Sequence, residues 1–205
     1  DGDGNAQWDR VYSEGDVINN RTAGVLPMPD GGYAVGITLE NGLVATNGIL
    51  RVDAFGDSLW TTAGQGDGFA NDLIFASDGG FLLGGNRYTD FSPFVAKVFK
   101  FDSAGQFEWS EEYPGFQNGT IFDLAPVSTG GYIGVGEGNG QVLLLRIAAD
   151  GELLWNQLWP VATGARAYAV LESPDGGFYL GGSGDGFAGP APYLWKTDDQ
   201  GTLEW

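Results

Sequence analysis

The sequence predicts an all-β fold: four four-stranded antiparallel propeller blades, each a repeat of about 50 residues. Three observations in phase carry this. Asp-x-x-Gly-x-x-x-Trp occurs at Asp1-Gly4-Trp8, Asp53-Gly56-Trp60, Asp102-Gly105-Trp109 and Asp198-Gly201-Trp205. A degenerate copy stands at Ala148-Gly151-Trp155, and the Trp spacings are 52, 49, 46 and 50 residues. Between successive copies lies a second motif: Asp30-Gly31-Gly32-Tyr33, Asp78-Gly79-Gly80-Phe81, Thr129-Gly130-Gly131-Tyr132 and Asp175-Gly176-Gly177-Phe178. A basic residue, Arg51, Lys100, Arg146 or Lys196, stands two positions before the Asp (or Ala148) of the Trp motif, using four of the chain's 9 basic residues in one register.

Each part of the unit follows from local chemistry. Asp-Gly-Gly before an aromatic and further apolar residues reads as a tight turn entering a strand, since Gly supplies positive φ. In Arg51-x-Asp53, Lys100-x-Asp102 and Lys196-x-Asp198 the charges are two apart; in extended chain they share a face and are expected to pair. The Asp is also placed to close the following turn, with Gly in the left-handed position. The Trp then begins the last strand and packs over the neighbouring blade; Tyr12, Tyr113 and Trp159 place an aromatic four residues on, where Gly64 breaks the pattern. In the second unit the strands are expected near Asp72–Ala76, Phe81–Gly84, Val95–Phe101 and Phe107–Ser110. Helices have little room, because the longest Gly-free stretch, Asn86 to Ala104, is broken by Pro93. The whole chain, 1–205, reads as one propeller or propeller segment with repeats at 8–59, 60–108, 109–154 and 155–205. Five Trp motifs against four blades predict that it is part of a larger propeller in a longer parent chain.

Composition narrows the function. With no Cys and no His, thiol nucleophiles, disulfides, imidazole catalysis and His metal ligands are excluded within this chain. A net charge of −18 repels nucleic acid and anionic lipid, and the densest apolar run, Val142–Leu145, is far too short to span a membrane as a helix. Neither nucleic-acid binding nor membrane insertion is expected.

The combination Asp-Gly-Gly-Tyr/Phe and Lys/Arg-x-Asp-x-x-Gly-x-x-x-Trp resembles the Trp-motif β-propeller repeats of secreted bacterial proteins, such as the delta-60 repeats. More distantly it resembles the repeats of pyrroloquinoline-quinone (PQQ) enzymes. The resemblance covers essentially the whole chain. It implies an extracellular or cell-surface location, and leaves activity open.

Candidate chemistry is sparse. Asp1, Asp3 and Asn5 place oxygens at alternate positions as a calcium loop does, but Ala6 and Tyr12 stand where an EF-hand needs Gly and Glu. The repeat motif accounts for the same residues, so no cofactor is expected, with calcium as the alternative. Glu111 and Glu112 are adjacent and point to opposite faces of a strand, which does not make a catalytic dyad. Gly64–Ala70 and Gly182–Ala188 share Gly-x-Gly-Asp-Gly-Phe-Ala at different phases of the repeat, and neither is a phosphate loop. Trp8, Trp60, Trp109, Trp155 and Trp205, with Gly4, Gly56, Gly105, Gly151 and Gly201, are expected to be structural. The function expected is a non-catalytic module for binding, adhesion or assembly, with a protein or polysaccharide partner at the cell surface. The alternatives are a carbohydrate-active or PQQ-type enzyme and a calcium-dependent glycan-binding module.

Overall fold

A computed structural model of the chain describes residues 5–6, 8–12, 19–41, 44–65, 67–89, 92–161, 164–186 and 189–205. The first sheet contains β1 (Asn19–Pro27), β2 (Tyr33–Asn41), β3 (Val44–Val52) and β4 (Ser58–Gln65). The second contains β5 (Phe69–Phe75), β6 (Phe81–Thr89), β7 (Ser92–Phe101) and β8 (Phe107–Tyr113). The third contains β9 (Thr120–Pro126), β10 (Tyr132–Gly138), β11 (Gln141–Ile147) and β12 (Leu153–Trp159), and the fourth β13 (Arg166–Glu172), β14 (Phe178–Gly186) and β15 (Gly189–Thr197). Within each sheet every strand pairs antiparallel with its neighbour in sequence. Beside β15 the chain returns as an isolated bridge between Thr197 and Leu203. There the Glu204 amide donates to the Lys196 carbonyl and the Lys196 amide to the Trp205 carbonyl.

The first strands of the sheets pack side by side in chain order, β1 on β5, β5 on β9 and β9 on β13. These are propeller blades. No helix occurs among the described residues. Two sequence expectations change. The strands of the second blade begin earlier or run longer than expected, because the antiparallel backbone ladders continue past the motifs, to the pairs Phe69–Asn86, Thr89–Ser92 and Ala96–Tyr113. The fourth blade has three named strands and the short bridge rather than four full strands. The sheets also set the phase of the repeat: the first three each run from an inner strand to a Trp strand, so Trp60, Trp109 and Trp155 lie in the last strand of a blade.

Strand alternation gives every blade two apolar faces. The rear face carries the aromatic of the turn motif, and the forward face carries the residue after it. Three interfaces bury them. Ala34 and Ile49 of the first blade meet Phe81, Leu83, Phe99 and Phe101 of the second. Leu82 and Val98 of the second meet Tyr132, Leu143 and Leu145 of the third. Ile133 and Leu144 of the third meet Phe178, Leu180 and Trp195 of the fourth. Burial at these seams is the main favourable term for a chain with few other devices.

Candidate functional site

The motifs converge at the seams. A Cβ built on Gly56, Gly151 or Gly201 would stand 2.7 Å from an indole carbon of Trp8, Trp109 or Trp155 respectively, and Trp60 covers Gly105 in the same way. Each covered glycine lies in the turn of the blade after its Trp. The aromatic four residues on adds a hydrogen bond: the Tyr12 hydroxyl donates to the Gly56 carbonyl at 2.6 Å and that of Tyr113 to the Gly151 carbonyl at 3.0 Å. Trp159 is instead buried in the interface between the third and fourth blades. Gly4, Asp1 and Asp3 lie outside the described residues, and Asn5 is exposed. Among the described residues no group of three or more carboxylate, His or Cys side chains is placed to hold a metal ion.

The basic residues pair differently from the expectation. Arg51 reaches back to Asp30 rather than to Asp53. Lys100 Nζ lies 2.8 Å from Asp78 and 2.6 Å from Glu108, and Lys196 Nζ lies 3.0 Å from Asp175 and 3.3 Å from Glu204. The physical reason is that Asp53, Asp102 and Asp198 are occupied. Each accepts two amides of its own turn through Oδ1, as Asp102 does from Ala104 and Gln106 at 2.9 and 2.8 Å. The basic head passes instead over the second Gly of the Asp-Gly-Gly turn: a Cβ on Gly80 would come 2.8 Å from Lys100 Nζ, and one on Gly177 3.0 Å from Lys196 Nζ. The turn motif and the basic register are therefore one interaction. Burial alone would lower the Lys100 ammonium, but Asp78 and Glu108 outweigh it and raise its pKa. In the third blade Thr129 replaces the acid, and burial holds the Arg146 guanidinium below its usual range.

Away from the motifs, the starts of the inner strands gather round one mouth with a cavity of about 670 Å3. Arg21, Phe69, Thr120 and Arg166 hold one register position in successive blades, opposite Thr38, Asn86, Glu137 and Ser183. Arg21 Nε lies 3.0 Å from Glu40, with its guanidinium over the Phe69 ring at 4.6 Å. Arg166 Nε lies 2.5 Å from Glu137. Between the two ion pairs, Asn86 donates through Nδ2 to Thr120 Oγ1 at 3.1 Å. Its Oδ1 is buried without a partner among the described residues, and Asn86 as a whole is 7% exposed. A buried amide oxygen left unpaired is costly; Asn86 as a residue is part of the cavity lining. Phe122, which also lines the mouth, is the extra residue of a β-bulge in β9 and packs on Tyr168, the equivalent bulge residue of β13, at 5.1 Å.

A second buried cluster ties the inner strands together. Asp72 accepts the Leu124 amide at 2.9 Å, and Asp123 accepts the Val170 amide at 2.6 Å. Burial, reinforced by the neighbouring Asp72 carboxylate, pushes Asp123 up to about 6. Each carboxylate bridges to the next blade, so the pair links three blades. Glu112, one of the adjacent acids noted in the sequence, pairs with Lys97 at 3.3 Å and Arg87 at 3.2 Å.

None of the mouth residues belongs to the three motifs that recur in phase, which is why motif reading passed over them. One signal was present: the fifth residue after each turn-motif aromatic is polar in every repeat, at Thr38, Asn86, Glu137 and Ser183, although apolar residues dominate the strands around it.

No family model matches the chain, and no curated protein matches it. Among solved structures it is similar to a protein of unknown function from Bacteroides caccae, with a TM-score of 0.63 and 18% identity over 99% of this chain and 71% of that one. It is also similar to a puromycin hydrolase, with a TM-score of 0.51 and 16% identity over 90% of this chain and 28% of that one. At these identities the likeness is one of fold.

Proposed function

We propose that this chain is a non-catalytic binding module acting outside the cell or at its surface, and that it holds a hydroxyl-rich polymer such as a polysaccharide at the mouth. The observation that carries the reading is the cavity of about 670 Å3 lined by the polar Asn86 and Thr120 and bordered by the Arg21–Glu40 and Arg166–Glu137 pairs. The ion pairs present donors and acceptors with little net charge, and Phe122 offers an apolar ring. Together they match the hydroxyls and apolar faces of a sugar. Catalysis is disfavoured because the mouth carboxylates Glu40 and Glu137 are each engaged by an arginine and the chain has no His or Cys. The surface location is supported by the resemblance to secreted repeat proteins.

A glycan array tests this beside a dye-reduction assay with added PQQ. The expected result is binding to a neutral glycan class without dye reduction. Asn86→Leu should lose at least tenfold in affinity while keeping its thermal midpoint within a few degrees. Dye reduction, or an array signal untouched by Asn86→Leu, would overturn the reading.

A further inference from the structure

Every inner strand carries a β-bulge at the same register. The extra residues are Ala23 in β1, Asn71 in β5, Phe122 in β9 and Tyr168 in β13. In the last three of these blades a glycine faces the start of the bulge, and nothing larger fits there. A Cβ on Gly85, Gly136 or Gly182 would stand 1.8, 1.8 or 2.0 Å from the carbonyl oxygen of Phe69, Thr120 or Arg166 respectively. Those carbonyls belong to residues that border the mouth, so bulge, glycine and mouth are one construction. A bulge re-aims the side chain that it carries. Here the backbone device is repeated while its occupant changes from small to polar to aromatic. A position fixed in space and free in side-chain type is suited to setting what the mouth accepts.

Phe122 is half-buried and lines the cavity together with Asn71. Its ring packs on Tyr168 with an interplanar angle of 38°, and both rings stand outside the three buried seams. The Tyr168 hydroxyl, with Glu137, holds the Arg166 guanidinium above its usual range, which ties the aromatic pair to the rim. Asn71 donates through Nδ2 to the Ile121 carbonyl at 2.8 Å, so its amide is held beside Phe122. Phe69, another ring at the mouth, has its face taken by Arg21.

We propose that Phe122 is the stacking floor of a one-ring subsite and makes the mouth select β-linked glycans, with Asn71 meeting a ring hydroxyl. The proposal rests on the reading of the mouth as a glycan site. The face of an aromatic ring is electron-rich and attracts C–H bonds that carry partial positive charge. In a β-linked hexose of gluco configuration the anomeric oxygen is equatorial, and the axial C–H bonds of one ring face are unobstructed. An α linkage sets an axial oxygen among them and lifts the sugar off the aromatic floor. The selection follows from the stacking contact; an ion-paired rim alone would not produce it.

Isothermal titration calorimetry tests this with a cello-oligosaccharide and a malto-oligosaccharide of equal length, both neutral and differing only in linkage. The β-linked probe should bind about tenfold more tightly. Phe122→Leu keeps an apolar side chain and removes the aromatic face, so it should erase the preference by weakening the β-linked probe alone. Phe122→Tyr should keep the preference, and both variants should retain the circular dichroism of the parent. Equal affinity for the two probes, a preference for the α-linked one, or a preference that survives Phe122→Leu would overturn this inference and leave the glycan reading standing. Binding of neither probe would also overturn it, and together with a blank glycan array would overturn that reading as well.

Discussion

The indole of Trp109 fills the space that a side chain on Gly151 would need: a Cβ there would stand 2.7 Å from its Cζ3, and Gly151 itself has a φ of 95°. The turn of one blade is thus open to the Trp of the blade before it, and neither residue is replaceable alone. Trp109→Ala should cost about 3 kcal/mol of unfolding free energy, in the range for deleting a large packed aromatic. Gly151→Ala should cost at least about 1 kcal/mol, from the positive φ as well as the contact. Phe55→Ala, at a turn side chain that is 71% exposed, should stay within about 0.5 kcal/mol. Urea unfolding monitored by Trp fluorescence measures all three, and equal small effects would remove the seam from the account of stability.

The third blade offers a gain rather than a loss. Its Arg146 makes a 3.3 Å bond to Thr129 Oγ1 where the other blades place a carboxylate. Thr129→Asp should stabilise the protein by about 1 kcal/mol, discounted for the exposure of the turn. The increment should shrink in high salt, because the new pair is screened. Differential scanning calorimetry at two ionic strengths reads both effects.

Protonation of the inner cluster should appear in the pH dependence of stability. Burial holds Asp123 at about 6 in the folded chain, above the ordinary carboxylate range. The folded state therefore binds the proton more tightly, and its contribution is complete below the unfolded pKa and is lost as pH rises through about 6. Asp123→Asn keeps an acceptor for the Val170 amide and removes the titration. Its thermal midpoint should match the wild type near pH 4.5 and exceed it by a few degrees at pH 7.5. A constant difference between the two proteins across this range would show that the carboxyl does not titrate there.

Asp175 works in the opposite sense. The Ser173 hydroxyl and the Lys196 ammonium lower it to about 2, so its contribution is present above the unfolded pKa and is lost as pH falls through about 2. Asp175→Asn should narrow the difference between neutral and strongly acidic stability, measured by chemical denaturation at pH 2 and pH 7.

The sequence by itself determined the repeat, its length and its strand character. Asp-Gly-Gly, the basic register and the Trp motif are local devices, and a turn needing positive φ or an Asp capping its own turn is readable within a few residues, as at Asp102 and Gly105. The tertiary structure decided which charges meet. Lys100 and Asp102 are two apart in sequence, yet the ammonium bonds to Asp78, because the Asp102 carboxylate is held by its own turn and the glycine at position 80 leaves the path open. Only the tertiary structure located the mouth, where Arg21, Asn86, Thr120 and Arg166 come from four different blades and share no motif. The difference is physical: a blade repeats because every seam must bury the same apolar surface, whereas a site at the ends of the inner strands is built from residues that no seam constrains.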